Sequence, residues 1–486
     1  MLYKTRMNDL KRSAGQPSLD PENWEELRGL GHRMLDDTLD YIADIRKRPV
    51  WQPIPDEVRG QFRAELPLEP GDIGAAYDAF TQSVVPYAAG NVHPAFMGWV
   101  QGGGTAVGML AEMLAGGLNA NLGGRDHMPV EVERQVVAWV RQIFAFPEGA
   151  SGLFVTGSSL ANFIGVLVSR TAACGTAVRK SGLGEAGGKL RAYASAAAHR
   201  CIPLAMDMAG LGSDAVRPIP VDADGRMDMA ELAAAAARDR AAGLTPFLVV
   251  GTAGTVDTGS IDDLDGIADF CAAEKLRFHV DGAFGALAVL SPALKPLVSG
   301  IERADSIAFD FHKWGQVPYD AGFVLVRDGQ LHRDTFASPA AYLRTQASGL
   351  AAGAPWFSDY GPDLSRGFRA LKTWFTLKTL GLKRIGQAIE HSCALARYLE
   401  ERVRTEPQLE LLAPARLNIV CFRYRAADAV NAKIVVDLQE TGVAAPSTTT
   451  IGGKLTIRAA FVNHRTERRD VDALIDGVLR HGAAAE

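Results

Sequence analysis

The sequence has no long apolar run, no basic tract, no cysteine pair and no internal repeat, and each absence removes a class of protein. No stretch reaches the roughly 18 apolar residues that a membrane-crossing helix needs. The opening residues, MLYKTRMNDLKRS, are charged, and no apolar segment of a secretory leader follows them. Lys and Arg number 51 against 56 Asp and Glu, with no dense basic cluster, so nothing is arranged to track a nucleic-acid backbone. The five cysteines, Cys174, Cys201, Cys271, Cys393 and Cys421, are odd in number and never spaced as CxxC. That pattern argues against a disulfide framework or a zinc ribbon and for reduced thiols in the cytoplasm. No metal site is expected. Low complexity is confined to alanine runs at 196–198 and 233–237.

What is present is a chain of 486 residues, 47% hydrophobic, which is more than one core usually serves. Asp20-Pro21 resembles a helix start, and apolar residues then recur at Trp24, Leu27, Met34, Leu35, Leu39, Ile42 and Ile45. Prolines between Pro49 and Pro70 exclude regular helix there and suit an arm laid over another surface. On periodicity alone, the helix fits either a dimerisation arm or packing on its own core.

From about residue 150, short apolar runs (LFVT, LRAYAS, PFLVVGT, RFHVD, SIAFD, GFVLVR) alternate with helical patterns. Such alternation predicts parallel βαβ units, a sheet covered on both faces, and binding residues at the strand ends. Beyond residue 365, a long helical region leads to the strand-like LNIVCFRY and LTIRAAFV of a smaller α+β unit. The expected division is an arm at 1–90, a large α/β domain at 91–365 and a small domain at 366–486.

Four segments carry chemistry. In Val155-Thr-Gly-Ser-Ser-Leu-Ala-Asn162 a strand runs through a glycine turn into a helix, the arrangement of a phosphate cradle, although an ordinary helix cap reads the same way. In Phe278-His-Val-Asp-Gly-Ala-Phe284 an acid ends a strand before small residues. Its carboxylate suits a protonated ring nitrogen, with Gly282 and Ala283 letting a flat group approach; a helix cap or a metal ligand is the alternative for Asp281 alone. Asp310-Phe-His-Lys-Trp314 places Lys313 at another strand end, where its amine suits imine formation, although a His-Lys pair by itself is usually surface decoration. His199 follows the strand LRAYAS at the beginning of a helix, where a structural histidine is the alternative. The order of phosphate turn, flat ring, strand-end acid and lysine is that of a pyridoxal-phosphate enzyme.

The same residues resemble the group II amino-acid decarboxylases, the family of the aromatic amino-acid and glutamate decarboxylases. The likeness lies in TGSSLAN, YASAAAH, GTAGTVDTGSIDD, HVDGAFGA and SIAFDFHKWGQVPYDAG, and it extends from the arm through HPAF and VERQVVAWV to RAAFVNHRTERRDVDAL, nearly the whole chain. It implies fold type I, the aspartate-aminotransferase type: a mainly parallel seven-stranded sheet, a small α+β C-terminal domain and an N-terminal arm. It also implies a homodimer, pyridoxal 5'-phosphate as cofactor, and conversion of an L-amino acid to its amine and CO₂. Carried over by residue, it makes Lys313 the Schiff-base lysine and Asp281 the partner of the pyridine nitrogen. His199 stacks on the ring, with Ala283 on the other face. Gly157, Ser158, Ser159, Thr252 and His312 surround the phosphate, with Asp310 close by. Phe336-Ala-Ser-Pro-Ala-Ala-Tyr-Leu343 looks like the family's catalytic loop, which makes Tyr342 the proton donor to Cα and gives Gly349 and Gly353 its freedom.

The chain departs from the family pattern at Phe311, Gly282, Phe284 and Leu160, none of them a catalytic group, so its substrate need not be that of the named enzymes. Phe96, Trp99 and Phe357 are candidates for an aromatic substrate pocket that Gly102 to Gly104 widen; core or interface packing is the alternative. A related lyase or an aldehyde-forming oxidative decarboxylase would share Lys313 and Asp281 but differ at the loop tyrosine, so Tyr342 favours simple decarboxylation; a cofactor-binding protein without turnover is the third alternative, and Lys313, His199 and Tyr342 argue against it.

Overall fold

Runs of residues apolar on both faces belong in a sheet buried on both sides, and here they build one. The structure, a computed structural model, describes residues 18–338 and 345–485. A short strand β1 (Phe96–Met97) precedes the large sheet, whose strands are β2 (Ser151–Val155), β3 (Leu190–Ser195), β4 (Val216–Ile219), β5 (Thr245–Thr252), β6 (Arg277–Asp281), β7 (Ser306–Asp310) and β8 (Gly322–Val326). Their order is β2-β8-β7-β6-β5-β3-β4. The pairs from β7 through β6, β5 and β3 to β4 are parallel, and β8 alone runs antiparallel to both its neighbours. Every residue of β2, β7 and β8 is buried. The strand β4 was not signalled by an apolar run, since it carries Pro218 at the sheet edge, where a missing N–H is tolerated.

Register fixes what the strand ends share. Thr252 pairs across from Asp281, and Asp310 across from Gly322. The side chains that end β5, β6 and β7 are therefore neighbours at the carboxyl edge, where such sheets bind ligands.

The small sheet comprises β9 (Leu409–Arg416), β10 (Ile419–Tyr424), β11 (Ala445–Ile451) and β12 (Lys454–Ala460), in the order β1-β11-β12-β10-β9. Its strand β1 comes from far earlier in the chain and pairs in parallel with Ala445 and Pro446. The long helix Arg369–Thr405 is interrupted at Gly381, whose φ of 71° lies in the left-handed region that glycine tolerates. Near the N-terminus, the helix begins at Trp24 rather than after Asp20-Pro21, because the Asn23 side chain accepts from the N–H groups of Glu25 and Glu26 at 3.1 and 3.2 Å. Among the described residues no helix is long and apolar enough to cross a membrane.

One buried ion pair holds β2 in place. Arg366 meets Glu133 at 2.6 Å, both essentially without solvent exposure, and also donates to the carbonyls of Leu122 and Phe154. Removing one member leaves the other charge buried and unpaired, so Arg366→Ala is expected to cost about 3–5 kcal/mol in chemical denaturation. A loss under about 1 kcal/mol would mean that the site relaxes and Glu133 finds water or another partner.

Candidate active site

The turn after β2 is a place of close backbone approach. A Cβ on Gly322 would lie 2.4 Å from the Gly157 Cα, so β8 and the turn touch main chain to main chain. From Gly157 the helix Ser158–Cys174 begins. Ser158 is buried, and its donors have a partner: the N–H donates to Asp310 Oδ1 at 2.6 Å and the hydroxyl to Oδ2 at 2.7 Å. Asp310 thus places an anion at the helix N-terminus, where the macrodipole favours it. Ser159, one residue on, is exposed.

The same carboxylate gathers the lysine turn. Lys313 Nζ lies 2.9 Å from Asp310 Oδ2, and His312 Nε2 lies 3.6 Å from that oxygen. The Ala321 N–H donates to His312 Nδ1 at 3.0 Å, so the proton of the neutral ring sits on Nε2, facing Asp310. Burial lowers the His312 pKa despite the Asp310 charge and keeps the ring neutral. Tyr319 lies against it, with ring centroids 4.2 Å apart.

At the end of β6, Asp281 is buried and accepts the Ala283 N–H at 3.2 Å and the Cys201 thiol at 3.7 Å. Ala283 in turn accepts the Asp310 N–H at 3.0 Å, linking the two acids through one residue. His199 accepts the Cys201 N–H at 3.3 Å. Burial lowers its pKa, with the charge of Asp281 acting against that shift and the charge of Lys313 adding to it, so all three occupy one region. Thr252 is buried with its N–H on Asp262 Oδ2 at 2.8 Å, while its Oγ1 has no partner. Asp262 itself is pushed up to about 6, chiefly by burial.

The structure corrects several expectations of shape. The glycines at 102 and 103 do not widen a pocket. A Cβ on Gly102 would lie 2.5 Å from the carbonyl oxygens of both His312 and Lys313, and the Gly102 N–H donates to His312 O at 3.1 Å. Gly102 lets this segment seat against the lysine turn, whereas a Cβ on Gly103 would meet the Asn463 side chain at 2.7 Å. Gly282 makes room for Ala286 of its own turn, 2.5 Å from where its Cβ would be, rather than for a flat ligand. Phe96 and Phe357 belong to separate buried clusters, Phe357 under the Arg366 guanidinium, whereas Trp99 is 55% exposed beside Phe96. Tyr342 lies outside the described residues. Sequence reading also passed over Cys201, His279 and Asn162. A signal for His279 existed: it stands two residues before Asp281 in a strand and therefore shares its face.

These residues fit pyridoxal phosphate. An acid for the ring nitrogen, a lysine amine at the next strand end, a helix start and the unpartnered Thr252 hydroxyl all lie at one sheet edge. Fold and site together define a pyridoxal-phosphate enzyme of fold type I. More narrowly, the chain belongs to the pyridoxal-dependent decarboxylases: the family model described as "Pyridoxal-dependent decarboxylase conserved domain" matches residues 55–425. It is 31% identical to an aromatic-L-amino-acid decarboxylase of Bacillus atrophaeus, with 92% of this chain and 93% of that one covered. It is also 31% identical to an L-2,4-diaminobutyrate decarboxylase of Rhizobium meliloti (strain 1021), covering 85% and 83%. Among solved structures, Oryza sativa TDC with PLP and tryptamine superposes with a TM-score of 0.88 at 25% identity, over 96% of this chain and 100% of that one. The protein is a pyridoxal-phosphate-dependent amino-acid decarboxylase, a carboxy-lyase.

Proposed function

We propose that this decarboxylase converts an aromatic L-amino acid to its amine and CO₂, with Lys313 holding the cofactor and Asp281 pairing with its ring nitrogen. His199 covers one face of the ring and Ala283 the other. Gly157, Ser159, Thr252 and His312 surround the phosphate, and Ser158 and Asp310 fix the turn that receives it. The observation that supports this division most directly is the Asp310 carboxylate, which meets Ser158 of the phosphate turn, His312 and Lys313 at once. When bound, the cofactor supplies the electron sink for the charge left on Cα as CO₂ departs. The protein's part is to hold the ring proton at Asp281, to cover the ring with a neutral His199, and to present the Lys313 amine.

An aromatic substrate is supported by the exposed Trp99 ring, three residues from the Gly102 N–H that bonds His312, and by the Bacillus relative. The Rhizobium relative names the competing reading, 2,4-diaminobutyrate. Amine release measured over all proteinogenic amino acids, DOPA and 2,4-diaminobutyrate tests it. The highest kcat/KM is expected for an aromatic amino acid, and a clear preference for 2,4-diaminobutyrate overturns the assignment.

Tyr342 is assigned the proton that replaces CO₂ on Cα. Tyr342→Phe keeps the ring and removes the donor, so amine yield is expected to fall while part of the flux reacts with O₂ to give aldehyde, ammonia and peroxide. Unchanged amine with no peroxide, in air against an anaerobic control, transfers that role to another group.

We further propose that the enzyme is a cytoplasmic homodimer. Its cysteines are all unpaired. The helix Trp24–Ala43 buries no residue, and Trp24, Ile73 and Phe80 of the arm are exposed, an apolar surface that a second copy covers. A monomer mass by light scattering at micromolar concentration would remove the dimer.

A further inference from the structure

Asp281 is the end of a buried hydrogen-bonded chain that runs between the large sheet and two helices. Ser306 Oγ lies 2.7 Å from His279 Nδ1, and His279 Nε2 lies 2.7 Å from Asn162 Oδ1. Asn162 Nδ2 donates to Cys201 Sγ at 3.3 Å, and Cys201 Sγ reaches Asp281 Oδ2 at 3.7 Å. All five side chains are at most 5% exposed. They come from β7, β6, the helix Ser158–Cys174 and the helix Cys201–Met208.

The terminal carboxylate dictates every direction in this chain. An ionised carboxylate only accepts, so the thiol must donate to it. The sulfur then needs a donor, which the Asn162 NH₂ supplies, and this turns the Asn162 carbonyl towards His279. A neutral imidazole has one donor, which goes to that carbonyl, and its other nitrogen accepts the Ser306 hydroxyl. The two titratable members are in the states required. Burial pushes His279 down to about 4, and burial together with the Asp281 charge raises the Cys201 thiol well above its ordinary value. The fold also reserves space for the ring, since a Cβ on Gly165 would lie 2.5 Å from His279 Cε1.

We propose that Cys201, Asn162 and His279 are positioning residues for Asp281: a one-way chain of donors starting at Ser306 fixes the carboxylate that holds the cofactor's ring proton. The proposal rests on the assignment of Asp281 to the ring nitrogen. Hydrogen bonds polarise one another along such a chain, most strongly where water is excluded. The last donor therefore sets both the aim and the charge distribution of the acid. A core that only needed filling would have no reason to point every donor at one carboxylate.

The test reads the thiol directly. In the full chain, with and without cofactor, the S–H stretching band of Cys201 is isolated as the difference between wild type and Cys201→Ala. It is expected to move to higher frequency in Asp281→Asn, whose neutral amide is the weaker acceptor, and to shift again in Asn162→Ala. In the loaded enzyme Cys201→Ala is expected to lower kcat about fivefold, about 1 kcal/mol of barrier, with KM changed less than about twofold. Cys201→Ser, which restores a donor, recovers most of that loss. A band unmoved by Asp281→Asn overturns the chain, and a serine variant no better than alanine overturns its catalytic role in favour of packing. A near-wild-type rate in Asp281→Asn overturns the ring-nitrogen assignment instead, and the band shift in the cofactor-free protein still decides the chain separately.

Discussion

Lys313→Ala is expected to lose turnover by on the order of a thousandfold or more, about 4 kcal/mol of barrier, and to lose the covalent link to its cofactor. The geometry gives the reason. Lys313 extends from the turn after β7 to within 2.9 Å of Asp310 Oδ2, and the backbone of that turn is seated closely against Gly102. A second lysine, Lys372, is buried, but its Nζ is held by Glu112 at 3.1 Å and cannot replace it. Borohydride reduction of the loaded wild-type enzyme followed by peptide mass analysis should place the added pyridoxyl mass on the peptide containing Lys313, and the variant should carry none. An active variant, or the added mass on another lysine, sinks the assignment. Because the Nζ–Asp310 contact goes with the amine, the variant is also expected to leave Ser158 and His312 as the remaining partners of Asp310, without unfolding.

Asp281→Asn is expected to bind cofactor and yet turn over on the order of a hundredfold more slowly, a loss of about 2.7 kcal/mol. The substitution keeps the shape and one acceptor oxygen for Ala283, but it removes the charge. A neutral amide cannot favour the protonated ring nitrogen, whereas an anion beside it does. The loss should appear in kcat with little change in cofactor binding, as follows from a group that acts on the developing charge and not on the ground state. A rate within about threefold of wild type, well under 1 kcal/mol, would show that the electron sink does not depend on Asp281.

How much was legible beforehand varies by element for physical reasons. The strands β2, β3, β5, β6, β7 and β8 were all visible as apolar runs, because a strand covered on both faces must be apolar throughout. Strands with a solvent face left weaker traces. The strand β11, APSTTTI, is buried over its first three residues and then alternates exposed and half-buried ones, and β9 is largely half-buried. Neither was read from composition, and β1 is too short to show any period. The lysine and both acids were readable as strand-end residues, while Ser158 was readable as part of a phosphate cradle or as an ordinary cap, and in the structure it bonds an acid 152 positions away.

By itself the sequence determined the alternation of strands and helices, and with it the parallel sheet and the edge at which chemistry occurs. Periodicity is local, set by which faces of each short segment must avoid water. Only the tertiary structure decided who meets whom at that edge. It set Cys201 against Asp281, 80 positions on, His279 against Asn162, 117 positions back, and β8 antiparallel within an otherwise parallel array. These choices follow from strand order and helix packing, and no local pattern encodes them, because a side chain's long-range partner is selected by the fold as a whole once the sheet has closed around it.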